Sequence, residues 1–409
     1  MNSPVHAARP PVEPVAEAPE PAAGPSAPRT DRSTPGVAPS MPRAEPEPDL
    51  VQLLTPDGER RERPDYPLAI STDEIAGLYR DLVLVRRFDA EATALQRQGE
   101  LGLWASLLGQ EAAQVGAGHA LRAQDVVFPS YREHALAWCR GIDPVRVLGL
   151  FRGTTLGGWD PREHNFNLYT LVVGAQAPHA VGYAMGVARD GLVGTGDPDR
   201  DTAVLLCFGD GATAQGDVNE AFVWAAAANL PIVFFCQNNQ WAISAPVATQ
   251  SRAPLSRRAA GFGFPGVRVD GNDVLAALAV TGKALDDARA GAGPTLIEAY
   301  TYRMNPHTTS DDPTRYRSAA EADAWRRRDP IARVRAHLAQ AAGFDEEFFD
   351  AVERDAEALA ERVRAGCRAL PEPEPLSLFD HVYAEETDEL REQRAEFGAY
   401  YAAFDGALA

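Results

Sequence analysis

Two polar positions follow neighbouring apolar runs in the middle of the chain. In "VLLCFGDGATAQGDVNEA", residues 204–221, Asp210 stands between two glycines directly after the first run, and Asn238 and Asn239 end "PIVFFCQNN". If the runs are adjacent parallel strands, these side chains meet at the carboxyl edge of the sheet, where open α/β proteins bind ligands. Carboxylate and amide oxygens suit Mg²⁺, and glycines let backbone amides approach phosphates. The spacing therefore predicts a metal and phosphate site.

The Gly-Asp-Gly tripeptide is not by itself specific to such a site. Asp-Gly pairs commonly mark plain turns, so the tripeptide alone is equally compatible with an ordinary turn. A Walker loop would need GK[ST] and a dinucleotide fingerprint would need GxGxxG, but here "ATAQG" follows the second glycine. The run "DPDRD" around Asp199 resembles the start of a calcium loop but lacks the required Gly and the terminal Glu. We interpret it as a solvated turn.

The elements that would position these residues follow from hydrophobic periodicity. From Ser71 or Thr72, either of which can cap a helix, apolar positions recur every three or four residues. Between about 165 and 305, strand-like runs such as "TAVLLCF" alternate with alanine-rich helical runs such as "DVNEAFVWAAAANL". Short links between strand, helix and strand predict an α/β fold, with a mostly parallel sheet flanked by helices.

Composition divides the chain into three regions. Residues 1–65 are rich in Pro, Ala and Glu, which predicts a disordered arm, and they lack the features of a signal or transit peptide. Residues 66–320 are predicted to form the ligand-binding domain with its N-terminal helices. Residues 321–409 contain runs such as "FFDAVERDAEALAERVRAG", which predict a helical C-terminal region.

Charge and cysteine content exclude several classes of partner. With 39 Lys and Arg against 58 Asp and Glu, the formal charge of −19 argues against nucleic acid or an anionic membrane surface. We find no apolar run near the ~18 residues of a membrane span. The 4 cysteines are scattered without a CxxC pair, so we expect a reduced, cytoplasmic protein.

Several motifs in a fixed order make the chain recognisable. "GDG", a helix and "QNNQWAIS" resemble the thiamine-diphosphate motif. From about residue 70 to about 395, the chain resembles the alpha subunit of the decarboxylating component of 2-oxo acid dehydrogenase complexes. The other motifs that support the resemblance are "RQGELGLWASLLGQEAAQVG", "FPSYREHALAWCRG", "VVGAQAPHAVG", "FPGVRVDGND" and "YRMNPHTTSDDPTRYRS". The resemblance implies the thiamine-diphosphate-binding fold, with thiamine diphosphate and Mg²⁺ as cofactors.

The resemblance also implies which residues hold the metal and the diphosphate. Asp210 and Asn239 would bind Mg²⁺ through their side chains, and Trp241 through its backbone carbonyl. Trp241 occupies a position that is often Tyr in the family, a change that a carbonyl ligand tolerates. Gly211 and Ala212 would offer backbone amides to the diphosphate.

The resemblance also implies roles for residues in the motifs that surround the metal and diphosphate site. Tyr131 and Arg132, in "SYRE", would hold the phosphates, and Val173 would contact the aminopyrimidine through its backbone. His307 would lie near the phosphates and the substrate and assist in proton handling and acyl transfer. The loop 305–317, without a regular apolar period, is expected to be mobile until cofactor binds. Thr308 matches a regulatory phosphoserine of animal relatives, but the resemblance does not imply a dedicated kinase.

The resemblance places part of the catalytic apparatus on another chain. In the family, the glutamate that activates the cofactor belongs to a beta subunit, which implies an α2β2 heterotetramer with its active site between subunits. The enzyme would decarboxylate a small 2-oxo acid and pass the acyl group to lipoyl-lysine of the acyltransferase component. Pyruvate is slightly favoured over branched-chain oxo acids, and the use of a K⁺ ion stays open.

Two further functions are compatible with parts of the sequence. Non-oxidative thiamine-diphosphate decarboxylases use the same cofactor but usually carry the activating glutamate in the same chain. A non-catalytic scaffold could retain the fold alone. The intact set of Asp210, Asn239, Arg132 and His307 argues against a scaffold.

Overall fold

A six-stranded parallel sheet forms the centre of the protein. The computed structural model describes residues 50–155 and 157–405. The order of strands in the sheet is β1-β7-β8-β4-β3-β2, with every neighbouring pair parallel. The strands are β1 (Leu50–Val51), β2 (Val126–Phe128), β3 (Val204–Gly209), β4 (Ile232–Asn238), β7 (Gly266–Asp270) and β8 (Thr295–Tyr300), and β5 (Trp241–Ala242) and β6 (Ala245–Pro246) form a separate antiparallel pair. The predicted α/β class with a parallel sheet is confirmed.

Helices flank the sheet, and further helices follow the last strand in the sequence. Those up to the last strand are α1 (Thr72–Arg97), α2 (Glu111–Ala120), α3 (His134–Cys139), α4 (Pro144–Arg152), α5 (Pro161–His164), α6 (Gln176–Arg189), α7 (Gly216–Ala227), α8 (Val247–Gln250), α9 (Arg258–Phe262) and α10 (Val274–Arg289). After the last strand come α11 (Ala319–Arg326), α12 (Pro330–Ala341), α13 (Glu346–Arg368) and α14 (Asp388–Asp405). Short 3₁₀ helices span Asp210–Ala214, Leu255–Arg257, Pro313–Arg315 and Pro375–Phe379.

The register of the central strands brings the polar strand ends together. Strands β3 and β4 pair from Val204 with Ile232 to Gly209 with Gln237. Strand β8 pairs with β4 on its other side. The segments that follow these three strands therefore leave the sheet at one edge, as parallel pairing requires. This edge holds the candidate site.

Helix α1 organises the layer on one side of the sheet. Its N-terminus is a capping box, because the Ser71 side chain accepts from the Glu74 amide and the Glu74 carboxylate accepts from the Ser71 amide over 2.7 Å. This confirms Ser71 as the cap. The buried face of α1, including Leu82 and Val85, shares a hydrophobic core with Val334 of α12.

The predicted end of the N-terminal arm at residue 65 is wrong. Residues 1–49 lie outside the described residues, but strand β1 pairs with β7 and Leu54 is fully buried. The backbone amides of Leu53 and Leu54 both donate to the buried carboxylate of Asp273. Averaging over a Pro-rich region hid the short apolar run "LVQLL", which is stabilised because it adds to the edge of an existing sheet.

The part of the chain from residue 321 to residue 405 consists mainly of helices. Helix α13 packs against α1, and Phe349 of α13 contacts the ring of Tyr79 with 5.3 Å between centroids. A separate region beginning at residue 321 stays a prediction, since these helices share the core of the preceding ones. Within residues 50–155 and 157–405, we find no helix long and apolar enough to cross a membrane.

Candidate active site

Asp210 lies at the carboxyl edge of the sheet, as the sequence predicts. It opens a 3₁₀ helix directly after β3 and its side chain is almost fully buried. Gln250 donates to its Oδ2 over 3.1 Å. Burial raises the pKa of Asp210 to about 6, because a carboxylate loses hydration in the interior. A divalent cation at this position would offset that cost.

The amide of Asn239 is fixed by a buried network. Its Nδ2 donates to Oε1 of Gln110 over 2.8 Å, and Gln110 in turn donates to Oε1 of Gln237 over 2.8 Å. Gln237 donates to the buried carboxylate of Glu133 over 2.7 Å. Because Nδ2 is engaged, the amide cannot rotate without breaking the network. The network holds the Asn239 oxygen in a defined place.

The Trp241 carbonyl, the third expected metal ligand, already accepts a hydrogen bond. Arg303 donates to it from Nη1 over 2.9 Å. A carbonyl oxygen has two lone pairs, so one stays available beside this bond. Together with the oxygens of Asp210 and Asn239 it makes an all-oxygen donor set, which fits Mg²⁺ better than a softer metal.

A backbone amide at the start of the 3₁₀ helix is available to an anion. The N–H group of Gly211 stands in the first turn, where i→i+3 bonding offers it no partner, and Ala212 follows it in the same turn. A Cβ on Gly211 would lie 2.8 Å from the Cβ of Ala242 in β5. Only glycine therefore fits between this turn and β5.

Arg132 is a buried cation held by neutral partners. It is 5% exposed, and it donates from Nη1 to the Ser106 carbonyl over 2.6 Å and from Nη2 to the His307 carbonyl over 2.8 Å. The Tyr131 ring lies 5.6 Å from its guanidinium carbon and 6.2 Å from the imidazole of His307. The structure therefore brings Tyr131, Arg132 and His307 together.

Arg303, which the sequence prediction missed, adds a second buried guanidinium. It is fully buried and donates to the carbonyl of Ile243 over 2.7 Å and to the hydroxyl of Tyr316 over 2.9 Å. Its Nε has no hydrogen-bond partner among the described residues. Burial and the neighbouring charge of Arg132 lower its pKa. Two nearby guanidiniums and an unused donor suit a diphosphate, which can accept from several arginine N–H groups at once.

His307 lies between the two arginines. Its Nδ1 is 3.4 Å from Nη2 of Arg132 and 3.4 Å from Nη1 of Arg303. Burial, followed by the positive charges of these arginines, lowers its pKa to about 4. The imidazole is therefore neutral at pH 7, and its backbone amide donates to Asp311 over 2.9 Å. A neutral imidazole in this position can accept a proton or a hydrogen bond.

Val173 lies in an exposed stretch of the chain, unlike the buried site residues described above. It is 40% exposed and follows Leu171 and Val172, which are 65% and 72% exposed. Its expected contact with the aminopyrimidine stays a prediction. Consecutive exposed aliphatic side chains are typical of a surface that meets another protein.

A buried carboxylate, also missed from the sequence, supports Arg132 and the loop of His307. Asp89 accepts from the Trp104 indole N–H over 2.8 Å, from the Leu107 amide over 2.9 Å and from the Ser106 hydroxyl over 2.5 Å. Asp89 thus holds the segment 104–107, and the Ser106 carbonyl in this segment accepts from Arg132. The same segment pairs with the loop, because the amide of Thr309 donates to the Trp104 carbonyl over 3.0 Å.

The sequence carries limited signals for these additional residues. Arg303 stands four residues before His307 inside a motif that carries the resemblance, so its place in that motif was a usable signal. Gln110 and Asn239 are 129 residues apart, and no local pattern links them.

Comparison with known proteins identifies the family of the chain. The Dehydrogenase E1 component family matches residues 79–375. The 3-methyl-2-oxobutanoate dehydrogenase subunit alpha of Mycobacterium tuberculosis is 44% identical over 360 residues, which is 87% of this chain and 95% of the relative. The pyruvate dehydrogenase E1 component subunit alpha of Acholeplasma laidlawii is 38% identical over 79% of this chain and 92% of the relative. The corresponding subunit of Bacillus cereus is 34% identical over 84% of this chain and 91% of the relative. The chain belongs to the Dehydrogenase E1 component family.

Proposed function

We propose that this chain is the alpha subunit of an enzyme that oxidatively decarboxylates a 2-oxo acid and transfers the acyl group to lipoyl-lysine. The observation that carries the proposal is the convergence of the buried Arg132 and Arg303 on His307. The oxygen donors Asp210 and Asn239 follow strands at the edge from which Arg303 and His307 also emerge. The family depends in general on thiamine diphosphate, and the relatives are named as alpha subunits.

The residues present fit the diphosphate end of this cofactor. Mg²⁺ would be held by the side chains of Asp210 and Asn239 and by the carbonyl of Trp241. The diphosphate would receive the backbone amides of Gly211 and Ala212. When bound, thiamine diphosphate supplies a nucleophilic carbon and an electron sink for loss of CO₂ from a 2-oxo acid.

Two arginines and a tyrosine complete the anion site. Arg132 would donate to the diphosphate with Tyr131 beside it, and the unused Nε of Arg303 would add a further donor. Because these guanidiniums are already desolvated, they give up little hydration when an anion binds.

His307 would handle protons beside the diphosphate. Its pKa of about 4 keeps the imidazole neutral at working pH, so it accepts hydrogen bonds rather than adding a third positive charge. A neutral imidazole can take a proton from a substrate hydroxyl during acyl transfer, and the resulting imidazolium can give it to the lipoyl thiolate that is released when the disulfide opens. Arg132, which donates to its backbone carbonyl, holds the loop that carries it.

A beta subunit would supply the carboxylate that activates the cofactor. The exposed aliphatic stretch from Leu171 to Val173 lies directly before α6 and supports a protein partner there. We infer an α2β2 assembly that delivers the acyl group to a lipoyl acyltransferase. Assays in K⁺ and in Na⁺ buffers decide whether the assembly also uses a K⁺ ion.

Two substrate classes are candidates. The motif "VVGAQ" and the "QNN" sequence slightly favour pyruvate. The relative from Mycobacterium tuberculosis, named for 3-methyl-2-oxobutanoate and 44% identical, favours a branched-chain 2-oxo acid.

Steady-state kinetics of the alpha chain co-purified with a beta subunit from the same organism test the proposal. The expected result is lipoyl-dependent turnover with Mg²⁺ and thiamine diphosphate, and kcat/KM for pyruvate and for 3-methyl-2-oxobutanoate identifies the preferred substrate. The isolated alpha chain should release no CO₂. Decarboxylation by the pure alpha chain, or no turnover of either substrate by the pair, would show that the proposal is wrong.

A further inference from the structure

Three potential metal ligands meet where α1, α2 and α3 come together. Asp81 lies in α1, His119 is in the last turn of α2, and Cys139 is the last residue of α3. One ligand atom of each residue lies within 4.8 Å of the others. Within this cluster, Nε2 of His119 is 2.7 Å from Oδ2 of Asp81.

The close approach of the thiol depends on a glycine. A Cβ on Gly118 would lie 2.7 Å from Sγ of Cys139, which is closer than real Cβ contacts allow. Any larger residue at 118 would push the C-terminal end of α3 away from α2. The glycine therefore permits the position of Cys139 beside His119.

The Asp81 carboxylate is oriented as a metal ligand would be. The indole N–H of Trp138 donates to Oδ1 over 2.8 Å, which leaves Oδ2 to the cluster. Such a hydrogen bond to the second oxygen is the usual support of a ligating carboxylate. The side chains of His119 and Asp81 are 39% and 22% exposed, so an ion and a water ligand can reach them.

We propose that Asp81, His119 and Cys139 bind a divalent ion of the zinc class, with water as a fourth ligand. Thiolate, imidazole and carboxylate are the ligand types that zinc takes, and three protein ligands plus water is a coordination that zinc accepts. Small displacements bring the three atoms from their present separations to ligand distances of about 2.0–2.3 Å. The thiol proton of Cys139 leaves when the ion binds, and His119 coordinates through the ring nitrogen that carries no proton.

The site would stabilise the part of the fold that carries the anion-binding arginine. Arg132 lies two residues before α3, and Gln114 of α2 donates to the Arg132 carbonyl over 2.9 Å. A metal that joins α1, α2 and α3 would therefore stabilise the position of Arg132 without touching the cofactor. Zinc binding at these three residues is independent of the proposed reaction and can be measured directly.

Zinc content and thermal stability of the full chain, paired with its beta subunit, test the site. The protein is stripped with chelator, saturated with Mg²⁺ and thiamine diphosphate to occupy Asp210, and then dialysed against ZnCl₂ in slight excess over the alpha chain. We expect one zinc per alpha chain and a higher Tm with zinc than without. Cobalt in place of zinc should give the sulfur-to-cobalt charge-transfer absorption of a thiolate ligand.

Matched variants separate the site from adventitious binding. Cys139→Ser should lose the zinc and the cobalt band, whereas Cys367→Ser, a change at another cysteine, should keep both. Trp138→Phe should weaken zinc binding about 10- to 100-fold, because it removes only the support of Asp81. Far-ultraviolet circular dichroism without metal checks that each variant is folded.

Two results would overturn the proposal. The first is the same zinc content in the wild type and in the combined variant Asp81→Asn, His119→Gln and Cys139→Ser. The second is a Cys139→Ser protein that binds zinc as tightly as the wild type.

Discussion

Arg132 donates from Nη2 to the backbone carbonyl of His307 over 2.8 Å, so a side chain that follows β2 holds the loop that follows β8. The same guanidinium is expected to bind the diphosphate. An anion at Arg132 and the conformation of the loop are therefore physically coupled. Cofactor affinity, the pKa of His307 and the mobility of the loop should all respond to this coupling.

Asp210→Ala should abolish Mg²⁺-dependent binding of thiamine diphosphate and leave the fold intact. The residue opens a turn at the end of a strand rather than filling the hydrophobic core, and it supplies the charged ligand of the set. Asn239→Ala should weaken binding less, because it removes no formal charge. Titration calorimetry of the α/β pair measures both affinities.

The control for the Asp210→Ala and Asn239→Ala variants is Asp217→Asn, which changes an exposed carboxylate in the first turn of α7. It should bind cofactor like the wild type. Unchanged cofactor affinity in Asp210→Ala would disprove the metal assignment. Loss of the circular dichroism spectrum in that variant would instead show that Asp210 has a structural role.

Arg132→Met should weaken cofactor binding about 10- to 100-fold, which corresponds to the ~1.5–3 kcal/mol of a hydrogen bond to a charged group. Arg132→Lys should recover only part of this loss, because an ammonium cannot reproduce the two parallel donors of a guanidinium. Calorimetry provides the affinities. Arg162→Met, at a side chain that is 94% exposed, is the control and should change nothing. A wild-type affinity in Arg132→Met would mean that the guanidinium does not contact the diphosphate.

The pKa of His307 should be about 4 in the chain without cofactor, below the ordinary ~6.5 of an imidazole. Because the folded chain then binds fewer protons than the unfolded chain, the contribution of His307 to stability falls as pH drops from about 6.5 towards 4. Arg132→Met removes a repelling positive charge, so it should raise this pKa. Bound diphosphate should raise it as well.

Nuclear magnetic resonance of ¹⁵N-histidine-labelled protein measures these shifts, and His307→Gln identifies the signal. The exposed His381 provides an internal control that neither change should move. An unchanged His307 signal on adding Mg²⁺ and thiamine diphosphate would place the diphosphate away from the imidazole.

Local patterns predicted the residues whose positions depend on regular elements. Asp210 and Asn239 were placed correctly at the sheet edge because apolar runs define strands, and parallel pairing brings their ends together. Ser71 and Thr72 were both predicted as possible caps, because capping residue types stand just before the apolar period, and the structure shows that Ser71 is the cap.

Contacts between irregular segments could not be predicted in this way. Ser106 and Arg132 are joined by a backbone carbonyl, which any residue type at 106 could supply. The network from Gln110 to Gln237 spans 127 residues, and its amides look like ordinary surface side chains in the sequence. Burial of such groups is decided by tertiary packing, which composition and periodicity do not encode.

The loop 305–317 should become resistant to proteolysis when cofactor binds. Most of its contacts are polar: Asn305 donates to the Ser106 hydroxyl over 2.8 Å, and the Thr309 amide donates to the Trp104 carbonyl over 3.0 Å. The ring of Tyr316 adds an apolar contact with Trp241, with 5.3 Å between centroids. Such contacts offset little of the entropy of ordering, so the loop should open locally and expose Arg315 to trypsin. Diphosphate held by Arg132 and His307 would stabilise the closed loop. If the open loop cannot retain cofactor, cofactor at ~100 times its Kd slows cleavage up to about 100-fold.

Limited trypsin digestion of the α/β pair with and without Mg²⁺ and thiamine diphosphate measures this protection at Arg315 and Arg317. Cleavage at the exposed Arg162 is the internal control, and Asp210→Ala should show no protection. Equal cleavage rates of the wild-type loop in both conditions would refute the coupling, because they would mean that the cofactor adds nothing to what already holds the loop.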